Sequence, residues 1–433
     1  MTNRIKWTIV GSSTGVVIML LLGAASGRAT SPDDVYGHLR VYTEVLQRIK
    51  LEYVEEPDMK SITLGAINGL LESVDPFASY LNADQYKQYV KNRDSAKAGV
   101  GLILAKKYGY VTVVDTLPNS PAGKANLLTG DLVESINGVA TRDMPLAFAE
   151  QLLGGDPGTT VEVTVLRLRN PEPQKITLTR ATVGVPEVKT KMLADGVGYL
   201  DVPSLEGHDL AQAKAKLQEL MQGGAKYIVL DLRHCSTGAP EEGASLANLF
   251  LDKGEITSAK GQKYQKVDFM AKPEDEVWKG PLVVITDRAT AGASEVAAAG
   301  LMELGRSQIV GERTYGDAGV RKTVLMDDGA AVILSVAKYY SPLGKAIQTG
   351  GVLPTVQVTE NDNSPELDQD GNPIPGTESK TVEDNLLKQA VDLVTGKTTL
   401  AELRRPDSGV LVRDPFDKRK DSPAAERDDE QNQ

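Results

Sequence analysis

The sequence predicts a multidomain protein whose α/β core follows a helical module and a small β-rich domain. Three observations favour this fold class. Apolar residues recur at helical spacing between residues 35 and 90, short strands alternate with glycine- and proline-rich turns in residues 98–169, and buried strands alternate with helices in residues 194–358. A chain of 433 residues is long enough for about two to four such domains.

The composition excludes several classes of function. The chain has 48 basic and 59 acidic residues, a net charge of −11, and no basic stripe with interleaved aromatic residues. We therefore expect no nucleic-acid partner. A single cysteine excludes an internal disulfide framework, and three scattered histidines (His38, His208 and His234) cannot form a histidine-rich metal centre. The sequence predicts neither a metal nor a cofactor.

The first 29 residues have the layout of an export signal. Arg4 and Lys6 precede an apolar run at residues 16–22, and small residues follow at 23–26. Residues 7–25 also approach the ~20 residues that span a bilayer, so the segment is predicted to be a signal peptide or an N-terminal anchor rather than a buried helix. We expect an exported protein that is periplasmic or anchored to the outer face of the cytoplasmic membrane.

Residues 30–90 are predicted to form a helical module of two or three amphipathic helices. Asp75 and Pro76 end one helix, and Asn82 is a plausible N-cap for the next. A module of this kind serves packing or dimerisation, so a homo-oligomer remains open. The apolar positions at helical spacing are Leu39, Tyr42, Leu46 and Ile49, followed by Leu64, Ile67, Leu70 and Leu71.

Residues 91–170 contain the β-rich domain, with strands expected at 101–104, 111–114, 131–136 and 160–165. This stretch resembles a PDZ domain, and the resemblance lies in Gly99-Val100-Gly101-Leu102, Ser120-Pro121-Ala122 with Gly130-Asp131, and Ile136-Asn137-Gly138.

A PDZ domain implies peptide binding. An extended peptide adds to an exposed strand edge, and a glycine loop offers backbone N–H groups to its C-terminal carboxylate. The implied partners are protein or peptide C-termini, although a small β module without a ligand is the alternative. The implied peptide-binding residues are Gly99, Val100, Gly101, Leu102, Ile103 and Leu104.

Residues 171–360 are predicted to form the α/β core. Strands are expected at 197–200, 227–232 and 282–285, and helices at 209–221 and from about 291 to 304. Sites in such folds gather at the C-terminal ends of the strands, which directs attention to the turns after Leu232 and Thr286.

Several motifs between residues 35 and 358 resemble the carboxy-terminal processing peptidases, also called tail-specific proteases. The family implies a serine nucleophile, a neutral lysine as general base, and backbone N–H groups that stabilise the oxyanion. The motifs include Leu71-Glu72-Ser73-Val74-Asp75-Pro76, Asp231-Leu232-Arg233, Ala291-Gly292-Ala293-Ser294-Glu295, Val310-Gly311-Glu312-Arg313-Thr314-Tyr315-Gly316, and the stretch 339–348.

The catalytic positions of this family are altered here. Aligning Ala293-Ser294-Glu295 with the family's Ala-Ser-Glu places Gly292 at the nucleophile, and aligning Thr314-Tyr315-Gly316 with Thr-Phe-Gly places Asp317 at the lysine. The family separates these positions by about 25 residues, and they are 25 apart here as well. Arg321 stands where the family has a glutamine, and residues 235–238 replace an Asn-Pro-Gly-Gly turn. We expect no competent serine–lysine dyad.

Two fallback nucleophiles remain. Ser294 lies two positions beyond Gly292 on the same predicted helix, so it should face away from a cleft that Gly292 faces. Cys235 and His234 are adjacent in sequence and are not expected to meet as nucleophile and base. Asp317 and Arg321 are expected to form a local ion pair or to lie in solvent.

After the core, residues 361–403 are predicted to be a linker and a C-terminal helix that opens at residues 381–384. Its apolar face contains Leu386, Leu387, Ala390, Val391 and Val394. The charged residues 404–433 are predicted to be a disordered tail.

Three functions are compatible with this pattern. The first is an exported pseudopeptidase that binds protein C-termini through its PDZ domain as a regulator or scaffold. The second is an active serine endopeptidase that trims C-termini with a rearranged dyad. The third is a structural oligomerisation protein whose PDZ groove is closed.

Overall fold

A computed structural model describes residues 32–95, 98–107, 109–142, 144–167, 170–184, 186–358, 384–404 and 411–412. The predicted signal or anchor, most of the linker after the core and nearly all of the charged tail lie outside these residues. The chain divides into two units, residues 1–66 and 67–433. Among the described residues, no helix combines the length and apolarity that crossing a bilayer requires.

The N-terminal region is helical, as predicted. Helix α1 spans Pro32–Glu52, α2 spans Met59–Val74 and α3 spans Ala83–Ser95. Asn82 caps α3 reciprocally with Gln85, since each side chain accepts a hydrogen bond from the other residue's backbone N–H. The three residues before this cap form strand β1, Ser79–Leu81, which the sequence analysis did not predict.

The PDZ region is a sheet with the strand order β2-β3-β4-β6-β7, and β5 pairs with β4. Val111, Val133, Ile136 and Val163 form part of its core. Strand β7 continues this sheet beyond residue 170, the predicted edge of the domain, by pairing with β6. The elements are β2 Leu102–Lys107, β3 Tyr110–Thr116, α4 Pro121–Lys124, β4 Leu132–Ile136, β5 Val139–Ala140, α5 Leu146–Leu153, β6 Thr160–Arg167 and β7 Asn170–Thr179.

The α/β core contains a sheet with the order β18-β17-β14-β13-β10-β9-β8. Its central strands are parallel, whereas the edge strands β8 and β18 are antiparallel. The strands are β8 Lys189–Met192, β9 Val197–Asp201, β10 Tyr227–Asp231, β13 Leu282–Thr286, β14 Gln308–Gly311, β17 Val356–Gln357 and β18 Leu411–Val412.

Helices cover both faces of this sheet, because its buried strands alternate their side chains between two apolar clusters. Leu200 and Leu230 face the cluster that includes α6 Asp209–Gln222, α7 Pro240–Asn248 and α8 Ala293–Glu303. Val197 and Val229 face the cluster that includes α9 Asn385–Val394 and α10 Leu400–Leu403. The predicted multidomain fold, with an α/β core, is confirmed.

A second sheet lies beside the core. Its order is β1-β16-β11-β12, and β15 pairs with β16. Strand β1 pairs with one end of β16, and β11 pairs with the other end. The additional strands are β11 Glu255–Lys260, β12 Val267–Met270, β15 Gly319–Leu325 and β16 Ala331–Tyr340.

The C-terminal helix α9 spans Asn385–Val394, and residues 381–383 of its predicted opening lie outside the described residues. Asp384 is the N-cap, and its side chain accepts a hydrogen bond of 2.9 Å from the Leu387 N–H. The same carboxylate pairs with Arg233 at 2.8 Å, which attaches the helix to the C-terminal end of β10. Leu386, Ala390 and Val394 are buried against the sheet, as the predicted apolar face requires.

Candidate active site and peptide-binding strand

Gly292 lies at the N-cap of α8, in the turn that follows β13. Its φ of 65° and ψ of −113° belong to a region that strains residues with a side chain. A Cβ built at Gly292 would lie 3.5 Å from the carbonyl oxygen of Asp317, at ordinary van der Waals distance. The fold therefore brings together the two positions that the motif alignment singled out, and the first of them carries no side chain.

Glu295 holds these two positions in place. Its buried carboxylate accepts hydrogen bonds from the N–H groups of Gly292 at 2.9 Å, Gly316 at 2.6 Å and Asp317 at 2.7 Å. The Thr314 hydroxyl is a fourth donor. Burial raises the pKa of Glu295 to about 7, although these hydrogen bonds favour the charged form. Glu295 was not among the predicted site residues. The feature that could have indicated its role is its spacing of three residues from the N-cap Gly292, as in a capping box.

Asp317 and Arg321 form an ion pair. The Arg321 guanidinium also lies 4.7 Å from the ring centre of Phe77, a cation–π geometry. Burial raises the pKa of Asp317 to about 6, and the positive charge of Arg321 opposes that shift. The two side chains are therefore engaged with each other, as one of the two predicted alternatives expected.

A cleft of about 290 Å³ adjoins this ion pair. It lies between the PDZ helix α5 and the sheet that contains β15, and Arg321, Phe77 and Glu150 line part of it. Glu150 is exposed, and the positive charge of Arg321 favours its ionised form. The polar groups that line the cleft are the Glu150 carboxylate, the Arg321 guanidinium, the Lys322 amine, and the hydroxyl groups of Ser79, Tyr89 and Thr323.

Ser294 points into the core. It is fully buried, and its hydroxyl donates hydrogen bonds to the carbonyl oxygens of Cys235 at 2.5 Å and Ala291 at 2.9 Å. The helical spacing predicted this orientation. A hydroxyl that bonds to two backbone carbonyls, with no exposed surface, is a structural group.

Cys235 and His234 do not pair with each other. Cys235 is buried, and burial raises the pKa of its thiol, so it does not supply a thiolate. His234 turns away from it, and its Nδ1 lies 2.8 Å from the Asp115 carboxylate. The Cys235 carbonyl instead accepts the Ala291 N–H at 3.0 Å, so this turn braces the start of α8.

The turn that replaces the family's Asn-Pro-Gly-Gly sequence is attached to the chain after β9. The Thr237 hydroxyl donates to Ser204 at 2.9 Å, and the Leu205 N–H donates to the Thr237 carbonyl at 3.3 Å. A Cβ at Gly238 would lie 2.5 Å from the Leu205 carbonyl oxygen, so this close approach requires glycine. The backbone conformation of the turn is therefore fixed by its neighbours.

The predicted peptide-binding residues lie on β2 and on the loop that precedes it. Strand β2 is at the edge of the PDZ sheet, where a further strand could be added. Leu102 and Leu104 face the PDZ core. Gly99 pairs with Ala181 through two backbone hydrogen bonds of 3.0 Å, and the carbonyl of the buried Val100 accepts the Ala122 N–H at 2.9 Å.

The opposite face of β2 packs against the candidate active site. Ile103 and Ala105 share an apolar cluster with Phe77, Ala291 and Tyr315. Ala291 precedes Gly292, and Tyr315 is two residues before Asp317. The predicted peptide-binding strand is therefore in contact with both turns of the candidate active site.

Comparison with known proteins agrees with this arrangement. The model of peptidase family S41 matches residues 196–358, and that of the PDZ domain matches residues 96–179. The carboxy-terminal-processing protease of Bartonella bacilliformis is 30% identical over 349 residues, which cover 79% of this chain and 80% of the relative. The carboxy-terminal processing protease CtpA of Bacillus subtilis is 30% identical over 356 residues, covering 81% and 74% respectively.

The fold has a solved counterpart. The photosystem II D1 C-terminal processing protease superposes with a TM-score of 0.62 and 27% identity, covering 72% of this chain and 86% of that protein. Both the sequence relatives and this structure span the PDZ region and the α/β core together. This chain therefore belongs to peptidase family S41, the family of the carboxy-terminal processing proteases, and it contains a PDZ domain.

Proposed function

We propose that this protein binds the C-termini of other proteins through its PDZ domain without cleaving them, and that it acts as a regulator or scaffold. One observation carries the proposal: Gly292, which has no side chain, occupies the helix N-cap beside Asp317. The motif alignment assigns these two positions to the family's nucleophile and general base.

The neighbouring groups do not replace the missing dyad. Serine and lysine catalysis needs a hydroxyl next to a neutral amine, and Asp317 offers a carboxylate that is paired with Arg321. Ser294 donates to two carbonyls inside the core, and the buried Cys235 thiol has a raised pKa. Position 292 thus has no hydroxyl, the Ser294 hydroxyl is hydrogen-bonded inside the core, and the Cys235 thiol is protonated.

Peptide binding makes no demand on these groups. It needs a strand edge and a loop whose backbone approaches a carboxylate, and β2 with the preceding Gly99–Val100–Gly101 segment supplies both. The Bartonella and Bacillus relatives are named carboxy-terminal processing proteases, which supports protein C-termini as the ligand class.

We propose in addition that the protein works outside the cytoplasm. The basic, apolar and small-residue segments of residues 1–29 support export, with the segment cleaved or kept as an anchor. Self-association is the second proposal about its partners, since exposed apolar residues such as Leu39 and Val45 line α1.

The test is turnover of an unfolded protein substrate by the purified full-length chain, with the Ser294→Ala variant and a heat-inactivated sample as matched controls. We expect no cleavage above the heat-inactivated background over hours at pH 7–8. Cleavage that survives in Ser294→Ala would reveal a different catalytic route. Cleavage that Ser294→Ala abolishes would make Ser294 the nucleophile. Either result would overturn the pseudopeptidase proposal.

A further inference from the structure

His234 lies between two carboxylates from different domains. Its Nδ1 is 2.8 Å from Oδ1 of Asp115, on β3 of the PDZ domain, and its Nε2 is 3.6 Å from Oδ2 of Asp287, in the turn after β13. The two carboxylates are almost fully buried, whereas the imidazole is 53% exposed. The ring can therefore exchange protons with solvent while it contacts both domains.

The backbone is held in place for this contact. His234 has a φ of 57°, a left-handed conformation that few residues other than glycine adopt. Its N–H lies 3.3 Å from both carboxylate oxygens of Asp287. Ser236, in the same turn, donates its hydroxyl to Oδ2 of Asp115 at 3.0 Å. One short turn of the core thus binds both oxygens of a buried PDZ carboxylate.

We propose that His234 is a proton-dependent latch that holds the PDZ domain on the α/β core. As an imidazolium, it donates to Asp115 and faces Asp287 with a second positive N–H. As a neutral ring that keeps the Asp115 hydrogen bond, it turns the lone pair of Nε2 toward the negatively charged Asp287. The imidazolium form of His234 therefore holds the PDZ domain on the α/β core more tightly than the neutral form does.

The surrounding negative charges favour the imidazolium, whereas the raised pKa values of two of the carboxylates weaken this effect as the pH falls. Asp115 on β3, Asp287 after β13 and Asp201 at the end of β9 contribute negative charge around the ring, and burial raises the pKa of Asp115 and Asp201. His234 opposes both of these shifts. The adjacent Arg233 forms ion pairs with Asp231 and Asp384. A histidine charge is thus the compensation that the buried Asp115 receives from the core.

The pH dependence follows from these contacts. A histidine that gains carboxylate partners on docking contributes stability below its titration midpoint, and this contribution is lost as pH rises through the midpoint. Histidine changes its charge in the physiological pH range, so the loss is expected there. The latch is therefore closed in mildly acidic conditions and loosens in mildly alkaline ones.

The test is hydrogen–deuterium exchange of the full-length chain at pH 6, 7 and 8, corrected for the intrinsic pH dependence of exchange. Protection of the β3 segment around Asp115 is expected to fall about threefold to tenfold from pH 6 to 8, because the imidazolium that binds Asp115 is lost. His234→Gln keeps an N–H donor for Asp115 but does not titrate, so its β3 protection should be constant. The exposed His208→Gln is the matched control and should behave as wild type.

Two results would overturn the latch: constant β3 protection in the wild type, or the same decline in His234→Gln. If His234→Gln fails to fold, Asp115→Asn provides an independent measurement. The chain has three histidines, so the His234 ring proton can be followed by NMR. Asp115→Asn should lower its titration midpoint by about one pH unit, because an opposite charge is removed. An unchanged midpoint would contradict the proposal.

Discussion

At the scale of residues, the two positions that the motif alignment assigns to the catalytic dyad are held by backbone contacts. Glu295 still binds the N–H groups of Gly292, Gly316 and Asp317, and so holds both turns at fixed distance. These contacts involve backbone atoms at 292 and 317, so they do not depend on which side chains stand there. A site of this kind can change its chemistry without changing its fold.

This independence predicts that hydrolysis can be partly restored. Gly292→Ser with Asp317→Lys returns the hydroxyl and the amine, and a Cβ at 292 meets only the Asp317 carbonyl at 3.5 Å. The serine would be strained by about 1–3 kcal/mol at a φ of 65°. We expect cleavage of an unfolded protein substrate about 10²-fold above wild type, the lower end of what a positioned general base contributes.

The matched control is Gly292→Ala with Asp317→Lys, which carries the same backbone strain without a hydroxyl. It should remain at the wild-type background. If the serine variant is folded and no faster than the alanine variant, two side chains are not all that is missing. The turn at Thr237 and Gly238 would then be the next defect to repair.

At the scale of elements, the loop that precedes β2 requires glycine at position 101 but not at position 99. Gly101 has a φ of 76°, and a Cβ there would lie 2.2 Å from Cβ of Ser120. A Cβ at Gly99 would meet nothing within 4 Å. Of these two positions before the predicted peptide-binding strand, only Gly101 has no room for a side chain.

We predict that Gly101→Ala destabilises the PDZ domain by about 2–4 kcal/mol, combining left-handed strain with overpacking. Gly99→Ala should cost less than about 1 kcal/mol. Urea unfolding of the full-length chain, followed by hydrogen exchange of β2 and β3, measures both variants. Equal stability of the two variants would show that Ser120 moves aside and that Gly101 is not required.

The same scale shows what the sequence could predict about the fold. Continuous apolar runs predicted the buried strands closely; residues 227–232 were expected and Tyr227–Asp231 is observed. Strand β1 was missed because its three residues are defined by pairing with β16, far along the chain. Strand β7 was missed because Pro171 and Pro173 obscure its pattern, and proline is tolerated there since β7 is an edge strand.

At the scale of the whole molecule, the PDZ domain is attached to the end of α2 and to the core by contacts that local sequence patterns do not reveal. Glu72 on α2 accepts the Gly109 N–H at 2.7 Å and lies 3.5 Å from the Lys106 amine. His234 contacts Asp115 across 119 residues of sequence. Motif spacing predicted that Gly292 and Asp317 lie together, because both belong to family motifs. It could not predict the contacts between domains, because these join residues that share no motif.

Strand β2 lies at the edge of the PDZ sheet, and its face opposite the PDZ core packs on the candidate site. Peptide binding at this edge should therefore persist without catalysis. We predict that the full-length chain binds a peptide with a free, apolar C-terminal residue in the micromolar range, about −8 kcal/mol. The N–H groups of Val100 and Gly101 are expected to bind the carboxylate, since the Gly99 N–H donates to Ala181. The matching C-terminal amide should therefore bind at least about tenfold more weakly. Isothermal titration with both peptides provides the measurement, and Gly292→Ser should give the same affinities as wild type. Equal binding of acid and amide, or binding of neither, would contradict carboxylate recognition and favour a structural role for the PDZ domain.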